Sequence, residues 1–319
     1  MPKNFTHLGS RWIKTPLSML VDYSEFFYYP ICLLINNSKK VVIDYDRDSI
    51  KERLDSFVQK DVTHIYIKES DIISFMNDVK SSLQNRIINT PTIEADSIEE
   101  EILSLSSCFE LMRDSFVSLG FSKSNIDLAK QVSLMSIKLI NQTTNLISML
   151  KRMEKSLNPH FVNAILSASL TTCLVEAYSW GSPSIKQKVS LGCMLKQLNW
   201  EQKHFEIYQS GENLDSLKEL PLKMSAMMKE NGSFSKEVIE IVEQSFEKPD
   251  SKGFPRGLGA GSIGRLSALS IVSHSFIKKL SEHKFDYTKK GSIIDELNNE
   301  YQEGQFIQIM EGVSRMIAA

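Results

Sequence analysis

Near residue 96 the hydrophobic pattern of this chain changes period. Ahead of that point, apolar runs are short and rich in β-branched residues: Ile31-Cys32-Leu33-Leu34-Ile35, Val41-Val42-Ile43-Asp44-Tyr45 and His64-Ile65-Tyr66-Ile67. Beyond it, apolar residues recur at helical spacing almost to the C-terminus. A strand turns successive side chains to opposite faces, whereas a helix gathers them every three to four residues on one stripe. The pattern therefore predicts two architectures in series. The expected fold class is α+β overall, with a small N-terminal α/β domain followed by an all-α helical domain.

The first half reads in detail. Asn36-Asn37-Ser38-Lys39 suits a turn between the first two runs, which predicts a β-hairpin. Asp48-Ser49 can cap a helix whose Ile50, Leu54, Phe57 and Val58 share a face. A strand at His64–Ile67 follows. Ser70 or Asp71 can then cap a helix with Ile72, Phe75, Met76 and Val79 on one face. The order β-β-α-β-α describes one domain, residues 1–90. It holds no glycine-rich phosphate loop and no acid/His cluster, so a regulatory or docking module is expected there rather than an active site.

Asn89-Thr90-Pro91-Thr92 opens a linker, and residues 91–123 are expected as a helical connection, with Gly120 ending a helix that begins near Ser97. A second long helix is expected over 124–156, until Asn158-Pro159 breaks it. Further helices are expected near 163–178, 184–198, 220–230, 235–247, 264–280 and 291–316, giving a helical domain over 124–319. Met224, Met227 and Met228 are expected in its core.

Bulk properties exclude several classes. With a net charge of only -2 among 319 residues, no bulk field steers the chain toward nucleic acid. Cys32, Cys108, Cys173 and Cys193 form no CxxC pair, which argues against a zinc knuckle. The N-terminus lacks the basic start and apolar run of a signal peptide, and no apolar stretch is long enough to span a bilayer. A cytoplasmic protein is expected.

The segment Glu247–Leu258 carries the sharpest signal. A helix ends, and two prolines and two glycines follow in close order, with Phe254 held between Gly253 and Pro255. This is either a rigid turn with a buried aromatic or a ligand loop. Lys248, Lys252 and Arg256 either grip phosphates or form a solvated face. The glycines at 257, 259, 261 and 264 lack the strand that a dinucleotide fingerprint requires.

This segment resembles the HD-GYP family of cyclic-di-GMP phosphodiesterases. Those proteins carry His-His-Glu, two residues, Asp-Gly-x-Gly-Tyr-Pro and then usually Arg-Gly-Leu. Glu247, Asp250, Gly253, Pro255, Arg256, Gly257 and Leu258 stand at matching positions, while Phe254 replaces the tyrosine and Ser251 the first glycine. Trp180 with the helix near 184–198 resembles the segment ending in the family's His-Asp pair, and Leu220-Pro221 its His-Pro step. The resemblance spans residues 124–319 and leaves the N-terminal domain outside.

The resemblance implies a metal site, and this chain departs from it. The first histidine position falls at Asn163, with His160 one turn away. The His-Asp pair becomes Lys196-Gln197, or Gly192-Cys193 if the register shifts by a turn. The downstream lysine aligns near Trp200. The His-Pro histidine is Leu220, and the paired histidines are Ser245 and Phe246, with Glu247 after them. The last aspartate is His274. No cofactor and no metal are expected. The function implied is a catalytically inactive HD-GYP-like protein acting by protein–protein contact in cyclic-di-GMP signalling. Its contact loop would be Asp250–Leu258, its partners other signalling proteins of the diguanylate-cyclase type, and its assembly a homodimer. Two alternatives stand beside it. One is a non-hydrolysing cyclic-di-GMP receptor, with Arg256, Lys252 and Lys196 on phosphates and Trp200 or Phe246 on guanine. The other is a phosphodiesterase whose altered metal site uses His160, Glu247 and His274.

Overall fold

The computed structural model describes residues 4–7, 10–34, 40–43, 50–89, 97–143, 146–153, 156–211 and 213–318. The chain divides into two compact units, residues 1–135 and 136–319.

The first unit is built on a five-stranded sheet in the order β1-β2-β5-β3-β4. Its strands are β1 (Asn4–His7), β2 (Ser10–Pro16), β3 (Ile31–Leu34), β4 (Lys40–Ile43) and β5 (His64–Lys68). All neighbours pair antiparallel. The expected hairpin is present, with Ile31 opposite Ile43 and Leu34 opposite Lys40. Its turn at Asn36–Lys39, the cap Asp48-Ser49 and residues 90–96 at the start of the linker lie outside the described residues.

The helices of this unit are α1 (Leu17–Asp22), α2 (Ile50–Val58), α3 (Glu69–Asn89) and α4 (Ile98–Leu119). β1, β2 and α1 go beyond the expected β-β-α-β-α order. β2 shows no alternation because Trp12, Ile13, Thr15 and Pro16 are all buried, so its two faces are both covered. Trp12, Cys32, Leu34 and Tyr66 form the core of one face. Helix α4 opens on three glutamates, Glu99 to Glu101, at the positive end of its dipole. It closes at Gly120, whose φ of 60° admits glycine readily. This helix was expected within a linker. It packs instead on β2 and α1, so the compact unit continues past residue 90 to Met135. The division falls within α5 (Lys123–Gln142).

The second unit is helical throughout its named elements. α6 (Leu146–Arg152) is separate from α5, where one helix over 124–156 was expected. Asn158 caps α7 (Pro159–Glu176) by accepting from the His160 amide, with Pro159 in the first turn. The expected break is therefore a helix start. α7 is buried along most of its length and packs against α8 (Pro183–Leu195) and α12 (Arg265–Glu282). α8 also lies close against α11 (Lys236–Glu243): a Cβ at Gly192 would come within 2.5 Å of the Ile241 side chain.

The remaining elements are α9 (Gln202–Ser210), α10 (Glu219–Asn231), α13 (Lys290–Glu300) and α14 (Gln305–Ala318). α9 is an addition to the expected set. The helix expected over 291–316 is two helices, α13 and α14, because the chain turns at Gly304 with φ 56°. Met224 and Met228 are core residues of α10, whereas Met227 is exposed. Among the described residues, no helix is long and apolar enough to cross a membrane.

Candidate functional site

The segments singled out by sequence converge where α7, α8, α11 and α12 meet. α7 supplies His160, Asn163 and Ser167. The turn after α8 supplies Lys196, Gln197 and Trp200. The turn after α11 supplies Ser245, Phe246 and Glu247, and α12 supplies His274. All ten are buried.

Aromatic rings fill the middle. Phe246 lies between Trp200, at 5.1 Å between centroids, and Phe254, at 5.0 Å, stacked on both. Tyr208 of α9 meets Phe246 edge-on at 5.2 Å and stacks on His274 at 5.3 Å. Leu217 belongs to the same cluster, and Leu220 packs against it. Offset and edge-to-face ring pairs contribute roughly 0.5–1.5 kcal/mol each beyond their buried area. The stack therefore holds itself together and excludes water. It also occupies Trp200 and Phe246, the two rings expected to receive guanine.

Glu247 clamps the loop. One carboxylate oxygen accepts the Arg256 amide at 2.7 Å, and the other accepts the Leu258 amide at 2.8 Å. The Phe254 amide donates to the Phe246 carbonyl at 2.9 Å, which sets the two rings face to face. Gly253 runs so close to the preceding turn that an added Cβ would lie 2.2 Å from the Lys248 nitrogen. Gly257 has φ 65°. Gly253→Ala is expected to push the loop off this turn, with a cost of about 2–4 kcal/mol. Circular dichroism melting checks it, and an unchanged melting temperature would refute the close approach.

The loop's cations are engaged. Arg256 pairs with Glu243 at 2.5 Å, and Lys229 holds the other oxygen of the same carboxylate at 2.5 Å. Burial opposes the charge of Glu243, but Lys229 and Arg256 outweigh it and hold the carboxyl below its ordinary pKa. Lys248 pairs with Glu300 at 2.7 Å, and Lys252 with Asp250 at 3.6 Å. Phe254 is buried, while Ser251, Lys252 and Arg256 are exposed. The buried-aromatic alternative describes Phe254.

The remaining polar groups are deeply enclosed. Lys196 is 1% exposed, and its Nζ has no hydrogen-bond partner among the described residues. Burial pulls its pKa down to about 8. His274 Nδ1 meets Ser167 Oγ at 3.3 Å. Burial, then Lys196 and Lys278, hold this imidazole well below its ordinary pKa, so it is neutral. Asn163 Oδ1, Gln197 Nε2 and His274 Nε2 also lack partners among the described residues. His160 packs against Phe205 of α9 at 5.0 Å. A pocket of about 300 Å³ opens beside this group, lined by Tyr208, Lys252, Phe254, His274, Lys278 and Tyr301 among others.

This set does not suit a metal pair. Bridged ions need several carboxylates and imidazoles at close range. Here Glu247 spends both oxygens on backbone amides, Phe246 is stacked between two rings, and Lys196 brings a positive charge. Among the described residues no group of three or more His, Cys, Asp or Glu side chains could hold an ion. Tyr208 and Lys278 are site residues that the sequence reading passed over; Lys278 Nζ sits 4.4 Å from the Tyr208 ring centroid.

No family model matches the chain, and no curated protein matches it. A solved structure does: Bd1817, an HDG"Y"P protein from Bdellovibrio bacteriovorus. The two are 15% identical with a TM-score of 0.63, over 97% of this chain and 100% of that one. The chain has the fold of an HD-GYP protein. The resemblance was expected to start at residue 124, but the likeness takes in nearly the whole chain.

Proposed function

We propose that this chain is a catalytically inactive HD-GYP-type protein that acts by protein–protein contact in cyclic-di-GMP signalling in the cytoplasm. The observation that carries the reading is Phe246. Its ring stands where the resemblance asks for a metal-binding histidine, and Trp200 and Phe254 hold it there. An apolar stack of this kind imposes a desolvation cost on any ion, with too few ligands to offset it.

The contact surface of this reading is the loop Asp250–Leu258, with a diguanylate-cyclase-like partner and a homodimeric assembly. Glu247 and Gly253 support it by making the loop rigid, and preorganised loops lose less entropy on binding. The protein loaded with Fe²⁺ or Mn²⁺ is expected to leave cyclic-di-GMP intact. A diguanylate-cyclase domain is expected to bind, and Lys252→Glu to weaken that binding at least about tenfold without altering the melting temperature. Turnover of the nucleotide, or unchanged binding by K252E, would sink the proposal.

A second reading, a non-hydrolysing cyclic-di-GMP receptor, draws support from the pocket of about 300 Å³ with Lys252 and Lys278 in its wall. Calorimetry separates the two, since micromolar nucleotide binding without turnover favours the receptor.

A further inference from the structure

We infer that the enclosed polar group around Lys196 is a binding site for a compact oxyanion, hydrogen phosphate, seated beneath α9. The inference stands apart from the choice of partner and from the fate of catalysis. It begins with an imbalance. Lys196 Nζ, Asn163 Oδ1, Gln197 Nε2 and His274 Nε2 are all enclosed and all lack a hydrogen-bond partner among the described residues. Native interiors leave few such atoms unsatisfied.

The groups share one region. Asn163 and Ser167 lie one turn apart on α7. Ser167 bonds His274 on α12. Lys196 acts electrostatically on His274. The turn carrying Lys196 and Gln197 caps α8, which packs on both α7 and α12. α9 covers the group, with Tyr208 stacked on His274 and Phe205 meeting His160 at a tilt. The open pocket has both His274 and Lys278 in its lining. Burial, then the ammonium groups of Lys196 and Lys278, keep His274 uncharged.

The donor set selects the ligand. A lysine ammonium offers three N–H groups and a glutamine amide two. The tautomer in which His274 Nδ1 accepts from Ser167 leaves Nε2 as a further donor. Against these donors stands one acceptor, Asn163 Oδ1. A ligand with several acceptor oxygens and one O–H satisfies both sides. Hydrogen phosphate has that composition, whereas sulfate at neutral pH lacks the O–H. The anion would also give Lys196 the counter-charge that the protein does not provide.

Thermal unfolding of the full chain tests this, in inorganic phosphate, sulfate or chloride at equal ionic strength. The native protein should gain about 5–10 °C at a hundredfold excess of phosphate over its Kd, saturably, with less protection from sulfate. Lys196→Met should lose the effect. So should Asn163→Asp, which supplies a carboxylate for Lys196 and repels the anion, and which remains the deciding variant should K196M fail to fold. No rise beyond chloride, equal protection by sulfate, or a full phosphate response in either variant would overturn the assignment.

Discussion

Glu247→Ala is expected to lower the melting temperature of the helical unit by roughly 6–24 °C. The carboxylate is 1% exposed and accepts two backbone amides, one on each oxygen. Hydrogen bonds to a charged group contribute roughly 1.5–3 kcal/mol each. Alanine leaves the Arg256 and Leu258 amides without acceptors, so the loss is about 3–6 kcal/mol. For a unit of this size about 2–4 °C accompanies each kcal/mol. Glu247→Gln keeps an acceptor for one amide and turns an N–H toward the other, so its loss should be intermediate. The loop also sets Phe254 on Phe246, which stacks on Trp200. Tryptophan fluorescence should therefore change in the alanine variant before global unfolding. An alanine variant that melts like the native chain would show that the loop does not depend on the clamp.

That role for Glu247 was not legible in the sequence. Its spacing beside the loop marks it as the surviving acid of a metal site. The amides it serves lie nine and eleven residues away, and only a folded loop brings them back. What local chemistry dictates was readable. Gly120 ends α4 in positive φ as expected, whereas Asn158-Pro159, expected only to break a helix, opens α7. The β3–β4 hairpin follows from two β-branched runs around a polar tetrapeptide. α9 was not readable, because Lys203, His204 and Glu206 interrupt its apolar stripe and its Phe205 and Tyr208 find their partners on α7, on the turn after α11 and on α12. β2 was hidden for the opposite reason, since burial on both faces erases alternation. The loop motif pointed to the HD-GYP fold, and the chain as a whole is only 15% identical to the solved structure.

Lys196→Met is expected to make the chain more stable at neutral pH in phosphate-free buffer, by about 3 kcal/mol. The unfolded lysine holds its proton up to its ordinary pKa of 10.5, whereas the folded one, stripped of water by burial, holds it only to about 8. Below both values the folded state must keep an ammonium enclosed without a partner, and the full cost applies. Between the two values the unfolded chain binds more protons than the folded one, so the stability of the native protein rises with pH. Above both, the cost is gone. Methionine has a similar length and no charge, so K196M should show no such rise. The advantage of the variant should accordingly be constant below about pH 8 and shrink as pH approaches 10.5. Urea melts of both proteins from pH 6 to 10.5 measure it directly. Parallel stability curves would mean that Lys196 is already paired in the folded chain, and the imbalance that calls for an anion would not exist. Convergence at high pH would identify Lys196 as an enclosed charge without a partner, and phosphate should then abolish the difference at neutral pH by stabilising the native protein alone.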